Sequence, residues 1–90
     1  MKVRFSGTLL RAVDYEREIE LDAPTLGVAF DQLLQRFPQL RTPLLDDGGA
    51  VRSIHRLFLN REQLEPDTDL AAMNIGARDT LDVITALAGG

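Results

Sequence analysis

Cysteine is absent from this chain. That excludes disulfides, zinc sites built on thiolates and thiol catalysis, and it gives no sign of an oxidising compartment. Lysine is almost absent. Lys2 is the sole one, and the other nine basic residues are arginine. His55 is the only histidine and has no catalytic companion in the sequence, so surface or strand-end duty is the expected role. No apolar run is long enough to cross a membrane. Met1–Phe5 alternates instead of forming the apolar core of a signal peptide, so the expected location is the cytoplasm. A net charge of −4 disfavours general nucleic-acid binding, which needs a basic surface.

What remains is a chain of 90 residues with 44% hydrophobic content, enough for one small domain and too apolar for a disordered tail. The expected division is a domain over residues 1–85 and a tail over 86–90. Lys2–Gly7 reads as a strand with Val3 and Phe5 on one face. Thr8–Val13 reads as a turn or short helical piece. Glu16–Asp22 alternates again, with Glu16, Glu18, Glu20 and Asp22 on one face, as suits a solvated edge strand. The two strands pair as a hairpin with a long connection.

The period changes after Pro24. Leu26, Phe30, Leu33, Leu34 and Phe37 follow helical spacing, Thr25 is placed to cap the start, and Pro38 ends the helix. Leu40–Leu45 suggests a further short turn of helix, and Asp46–Gly49 a loop. Too few ligands at fixed spacing surround Asp46 and Asp47 for a metal site. Gly48-Gly49 lacks the surroundings of a phosphate loop. Ile54–Asn60 and Thr80–Thr85 read as strands, Gln63-Leu64 as a short partner strand, and Leu70–Ile75 as a compact turn or 3₁₀ segment.

This order predicts an α+β fold in which a mixed sheet of four to five strands packs on one main helix. The last strand can lie parallel beside the first. If the third and fifth strands are neighbours, Leu57, Leu59, Leu81 and Val83 face the helix. Phe58 and Ile84 then share the opposite, exposed face, a pattern that commonly marks an interface, with Arg56 and Arg4 at its rim. Scattered surface apolar residues are the plainer alternative.

The last strand runs into Ala86-Leu87-Ala88-Gly89-Gly90. Glycine lacks Cβ, so such a thread can enter a narrow site in another protein. Extended, it reaches roughly 15 Å.

This chain resembles the ubiquitin-like β-grasp sulfur carriers of the MoaD and ThiS type. The resemblance rests on Met1-Lys2-Val3-Arg4-Phe5, Leu9-Leu10-Arg11, Thr25-Leu26, Arg36-Phe37-Pro38, Arg56-Leu57-Phe58-Leu59-Asn60 and the terminal diglycine. The last third also resembles ubiquitin, through Gln63-Leu64-Glu65, Leu70, Asn74-Ile75 and Thr80-Leu81. Three positions differ from the usual carrier pattern: Asn60-Arg61, Ala77-Arg78-Asp79 and Thr85.

The resemblance implies a ubiquitin-like β-grasp fold and a protein cosubstrate, not an enzyme. An E1-like adenylyltransferase would adenylate Gly90. A sulfurtransferase or cysteine desulfurase would supply sulfur, giving a thiocarboxylate for a downstream synthase in molybdopterin, thiamin, cysteine or related biosynthesis. Leu87, Ala88 and Gly89 would thread into the partner, and Phe58, Ile84, Arg56 and Arg4 would dock on it. No cofactor or metal is held by the chain itself; ATP and a sulfur donor are used by the partner. Conjugation to lysines through Gly90 is the alternative, and a binding subunit with an incidental tail is a third reading.

Overall fold

The computed structural model describes residues 1–65 and 69–85. Two stretches of alternation near the start pair as predicted. β1 (Lys2–Phe5) and β2 (Glu18–Glu20) are antiparallel, with Val3 opposite Ile19 and Lys2 opposite Glu20. Val3, Phe5 and Ile19 are buried, whereas Glu18 and Glu20 are exposed on a strand at the sheet edge. Charges on an edge strand discourage pairing with another chain. The connection between them is a 3₁₀ segment, Gly7–Val13. Its Leu9 and Val13 are fully buried and close one end of the core.

The main helix, α1 (Leu26–Arg36), starts where Thr25 Oγ1 accepts the Val28 amide at 3.2 Å. That bond satisfies one of the amides that a helix start leaves without a partner. Pro38 holds Phe37 out of helical geometry and opens a 3₁₀ turn, Pro38–Leu40, that leads into α2 (Arg41–Leu44). The buried face of α1 is Leu26, Ala29 and Leu33, with Phe37 beyond it. Phe30 and Leu34, expected on that face, lie half-buried at its margin. Ala29 is fully buried between Leu26 and Leu33.

β3 (His55–Leu59) and β4 (Glu62–Gln63) form a hairpin across Asn60 and Arg61. Both residues have positive φ, 52° and 73°, the geometry that a two-residue turn needs to match strand twist. β4 begins one residue earlier than Gln63-Leu64, although Leu64 still donates its amide to Leu57 O at 2.8 Å. Leu70–Ala72 is a short 3₁₀ turn, and β5 spans Thr80–Thr85.

The strand order is β2-β1-β5-β3-β4. β5 therefore runs through the centre, parallel to β1 and antiparallel to β3. Its Leu81 and Val83 meet Val3, Phe5, Leu57 and Leu59 across the ladder, and the helix covers that side. Both sequence-based expectations about strand neighbours hold: β5 beside β1, and β3 beside β5.

Candidate functional site

Two regions are positioned by β5: the outer face of the sheet and the point where the strand ends. On the outer face, alternation brings Lys2 and Arg4 from β1, Asp82 and Ile84 from β5, and Arg56 and Phe58 from β3 to one side. The register sets Phe58 opposite Asp82 and Arg56 opposite Ile84. Phe58 and Ile84 are thus diagonal neighbours, a spacing within reach of an aromatic side chain. Ile84 is exposed, and Phe58 is half-buried.

The arginines on this face differ in what they hold. Arg4 donates from Nε and Nη2 to the two carboxylate oxygens of Asp82, at 2.9 and 3.3 Å. That fork ties β1 to β5 beside the Phe58 register position. Arg56 donates to the backbone carbonyls of Ser53 and His55. Lys2 lies 3.7 Å from Glu18 and is exposed. A polar cleft of about 260 Å³ between Arg4, Asn60, Arg61, Thr80 and Asp82 opens beside the apolar pair.

The cleft is stiffened by a network around Asp79. Asn60 Nδ2 donates to its Oδ1 at 2.9 Å, and the Gly76 amide donates to its Oδ2 at 2.7 Å. Asn60 Oδ1 in turn accepts the Thr80 amide at 3.0 Å. The Asn60 bond, followed by the Gly76 amide, holds the Asp79 carboxyl below its usual range.

The second region lies at Thr85, the last residue of β5. His55 is its ladder partner. The histidine was expected at the surface or at a strand end. It is the first residue of β3, but it is buried, and both ring nitrogens are engaged. Nε2 lies 2.7 Å from Pro43 O and Nδ1 3.1 Å from Thr85 Oγ1. The sequence held the signal for this placement: the alternation that turns Leu57 and Leu59 inward also turns His55 inward. Leu87, Ala88, Gly89 and Gly90, expected to form the threading tail, lie outside the described residues.

A groove of about 900 Å³ runs on the helix side, between α1, the segment around Val51 and the start of β3. Among the described residues no cluster of histidine, aspartate and glutamate could hold a metal ion, and no helix is long and apolar enough to cross a membrane.

Solved structures match this arrangement over nearly their whole length. SAMP1 of Haloferax volcanii, a small archaeal modifier protein, superposes with a TM-score of 0.77 at 22% identity, covering 100% of this chain and 98% of that one. A chain of the Amycolatopsis orientalis BexX/CysO complex gives a TM-score of 0.81 at 19% identity, covering 99% and 98%. The fold is the ubiquitin-like β-grasp. CysO of Mycobacterium tuberculosis, described as an antigen, adds a third β-grasp relative in shape, with a TM-score of 0.79 at 17% identity over 96% of this chain and 98% of that one. No protein-family model matches this β-grasp chain, and no curated protein matches it in sequence.

Proposed function

We propose that this β-grasp domain is a sulfur carrier whose Gly90 carboxylate is charged and unloaded by other proteins. The observation that carries the reading is the place of β5. It is the central strand, bonded to a neighbour on each side, and only residues 86–90 separate its end from Gly90. A rigid mount of this kind suits a short acyl handle, because presentation at high effective concentration is the carrier's share of the work.

The chemistry belongs to partners. A carboxylate is ionised at neutral pH and is a poor electrophile. An E1-like adenylyltransferase would join a Gly90 oxygen to the α-phosphorus of ATP, with pyrophosphate leaving. The terminal sulfur of a persulfide, on a sulfurtransferase or cysteine desulfurase, would then attack the acyl carbon and expel AMP. A second thiol would cleave the resulting sulfur–sulfur bond, leaving a thiocarboxylate on Gly90 and a disulfide on the donor. A downstream synthase would accept that sulfur. The diagonal pair Phe58 and Ile84, with Arg4 and Arg56 near it, is the docking face in this reading.

The experiment is co-expression with an activating enzyme and a sulfur donor, followed by intact-mass spectrometry. The expected product carries one sulfur in place of one oxygen at Gly90, labels with an alkylating probe, and disappears when Gly89 and Gly90 are deleted. A tail that stays an unmodified carboxylate beside a working positive control overturns the reading.

A second reading, conjugation to lysines of other proteins, is favoured by the modifier named among the structural neighbours. Gel-shifted conjugates that vanish on deletion of Gly90 would distinguish it. Lys2, as the single lysine, offers one side-chain amine for self-attachment.

A further inference from the structure

The turn between β3 and β4 keeps a strained residue that its own stability does not call for. Asn60 and Arg61 both have positive φ, 52° and 73°. Asparagine suits that conformation, and Asn60 has a structural role as well: its side chain donates to Asp79 Oδ1 and accepts the Thr80 amide. Arg61 has neither reason to be there. A long side chain is disfavoured at positive φ, and glycine is the residue that such a turn selects. Arg61 is exposed, and among the described residues it forms no ion pair, whereas Arg4 is held by Asp82 and Arg36 by Glu16. Strain kept at an exposed residue without an internal partner points to a task outside the domain.

Arg61 lines the 260 Å³ cleft together with Arg4, Asn60, Thr80 and Asp82. The Arg4 guanidinium is already taken there, by the two carboxylate oxygens of Asp82. That pair cancels its own charge and leaves Arg61 as the lining cation without a counter-charge. One guanidinium offers a planar fork that matches one carboxylate through two parallel bonds. A phosphate dianion would be repelled by Asp82 more strongly than a singly charged carboxylate. The cleft therefore selects a carboxylate side chain.

The cleft shares the outer face of the sheet with the apolar pair, since Asp82 is the ladder partner of Phe58. Asn60 donates its amide to Thr80 O at 2.9 Å, which sets the turn beside the first residue of β5. Thr80 and Thr85 are five residue steps apart, or about 16 Å at the ordinary strand rise. Arg61 thus stands at the end of the face remote from Thr85. A charged contact there, added to the apolar one at Phe58 and Ile84, fixes the orientation of a docked protein as well as its place.

We infer that Arg61 is a specificity-determining residue of the docking face, its guanidinium taking a carboxylate side chain of the E1-like adenylyltransferase. This role rests on the carrier reading. It sets stability and docking against each other at one residue: glycine relieves the turn and loses the contact.

The test is steady-state adenylation of the full chain by the E1-like adenylyltransferase of the same organism, read as pyrophosphate release while the carrier concentration is varied. Wild type is compared with Arg61→Gly, Arg61→Asn and Arg61→Glu. Glycine and asparagine both accept the turn conformation, and thermal unfolding checks that these variants are folded. Removal of the charge is expected to raise KM for the carrier about tenfold with kcat unchanged, as for a contact made equally before and during the chemical step. Glutamate should raise it further, and added salt should lift the wild-type KM more than that of the glycine variant. KM values within about twofold of wild type for glycine and asparagine, a fall in kcat at unchanged KM, or an equal response to salt overturns the role of Arg61. Any of these with wild-type Gly90 still charged leaves the carrier reading standing; a wild-type chain that is not charged beside a working positive control overturns both.

Discussion

Gly27→Ala sets two opposing effects against each other, and the structure decides the sign. Gly27 lies in the first turn of α1, and helix propensity alone predicts a gain of up to about 1 kcal/mol on replacing glycine with alanine. A Cβ there, however, would lie 2.9 Å from Ala71 Cα, 3.0 Å from Ala71 O and 3.2 Å from Ala71 Cβ. Comfortable carbon–carbon separations are roughly 3.5–4.0 Å, so the Leu70–Ala72 turn would have to move by about half an ångström or more. Two of the contacts are to backbone, so no rotamer change relieves them. The turn is also tied down nearby, by Leu26 N to Met73 O at 3.0 Å and Ile75 N to Pro24 O at 3.1 Å.

Overpacking of this kind costs about 1–3 kcal/mol, which exceeds the propensity gain. Offset by the propensity gain, the expected net loss is up to about 2 kcal/mol. In a domain of this size each kcal/mol moves the thermal midpoint by about 4–8 °C. Urea unfolding of both proteins, with the slope checked for equality, measures the difference directly. An alanine variant more stable than wild type by about the propensity gain would show that the helix and the Leu70–Ala72 turn do not touch as described.

Four further outcomes follow from other parts of the fold. Leu33→Ala, at a fully buried helix position, should cost about 2–5 kcal/mol in the same denaturation assay. Arg61→Gly removes a side chain from a residue at φ 73°; relief of left-handed strain outweighs the added freedom of the unfolded chain, so the thermal midpoint should rise by the equivalent of about 0.5–1 kcal/mol, whereas Asn60→Ala, which loses both its side-chain bonds, should lower it. Asp79 binds its proton more weakly folded than unfolded, so its contribution is complete above its ordinary value of 3.8 and disappears as pH falls through the lower folded value; Asp79→Asn should therefore flatten the acid end of a stability-versus-pH curve measured by urea midpoints.

Much of the fold was legible because its signals are local. The switch from alternation in Lys2–Phe5 to helical spacing after Pro24, the Thr25 cap and the Pro38 stop depend on neighbours a few residues away, and each matches an observed boundary to within a residue or two. The short Leu40–Leu45 turn and the exact span of the last strand were legible for the same reason. Less legible were positions whose fate depends on distant partners. Ala29 is fully buried on the helix face and Phe30 only half-buried, because burial depends on how the helix is set against the core and not on spacing alone.

The candidate site divides along the same line. Alternation alone put Phe58 and Ile84 on one face once β3 and β5 were taken as neighbours. It could not reveal that Arg4 forks onto Asp82 while Arg56 folds back onto Ser53, since guanidinium groups reach whichever acceptor the fold brings near. Nor did it reveal the His55 bonds, which join residues 12 and 30 positions apart.

The amino-acid order by itself thus determined the periods and the caps and stops, all of which are written in residues adjacent along the chain. Tertiary structure alone decided which polar groups meet: the imidazole between α2 and the end of the central strand, and the backbone contact that makes Gly27 necessary. Hydrogen bonds and close contacts of this sort act over about 3–4 Å, and only folding brings residues distant in sequence to that range.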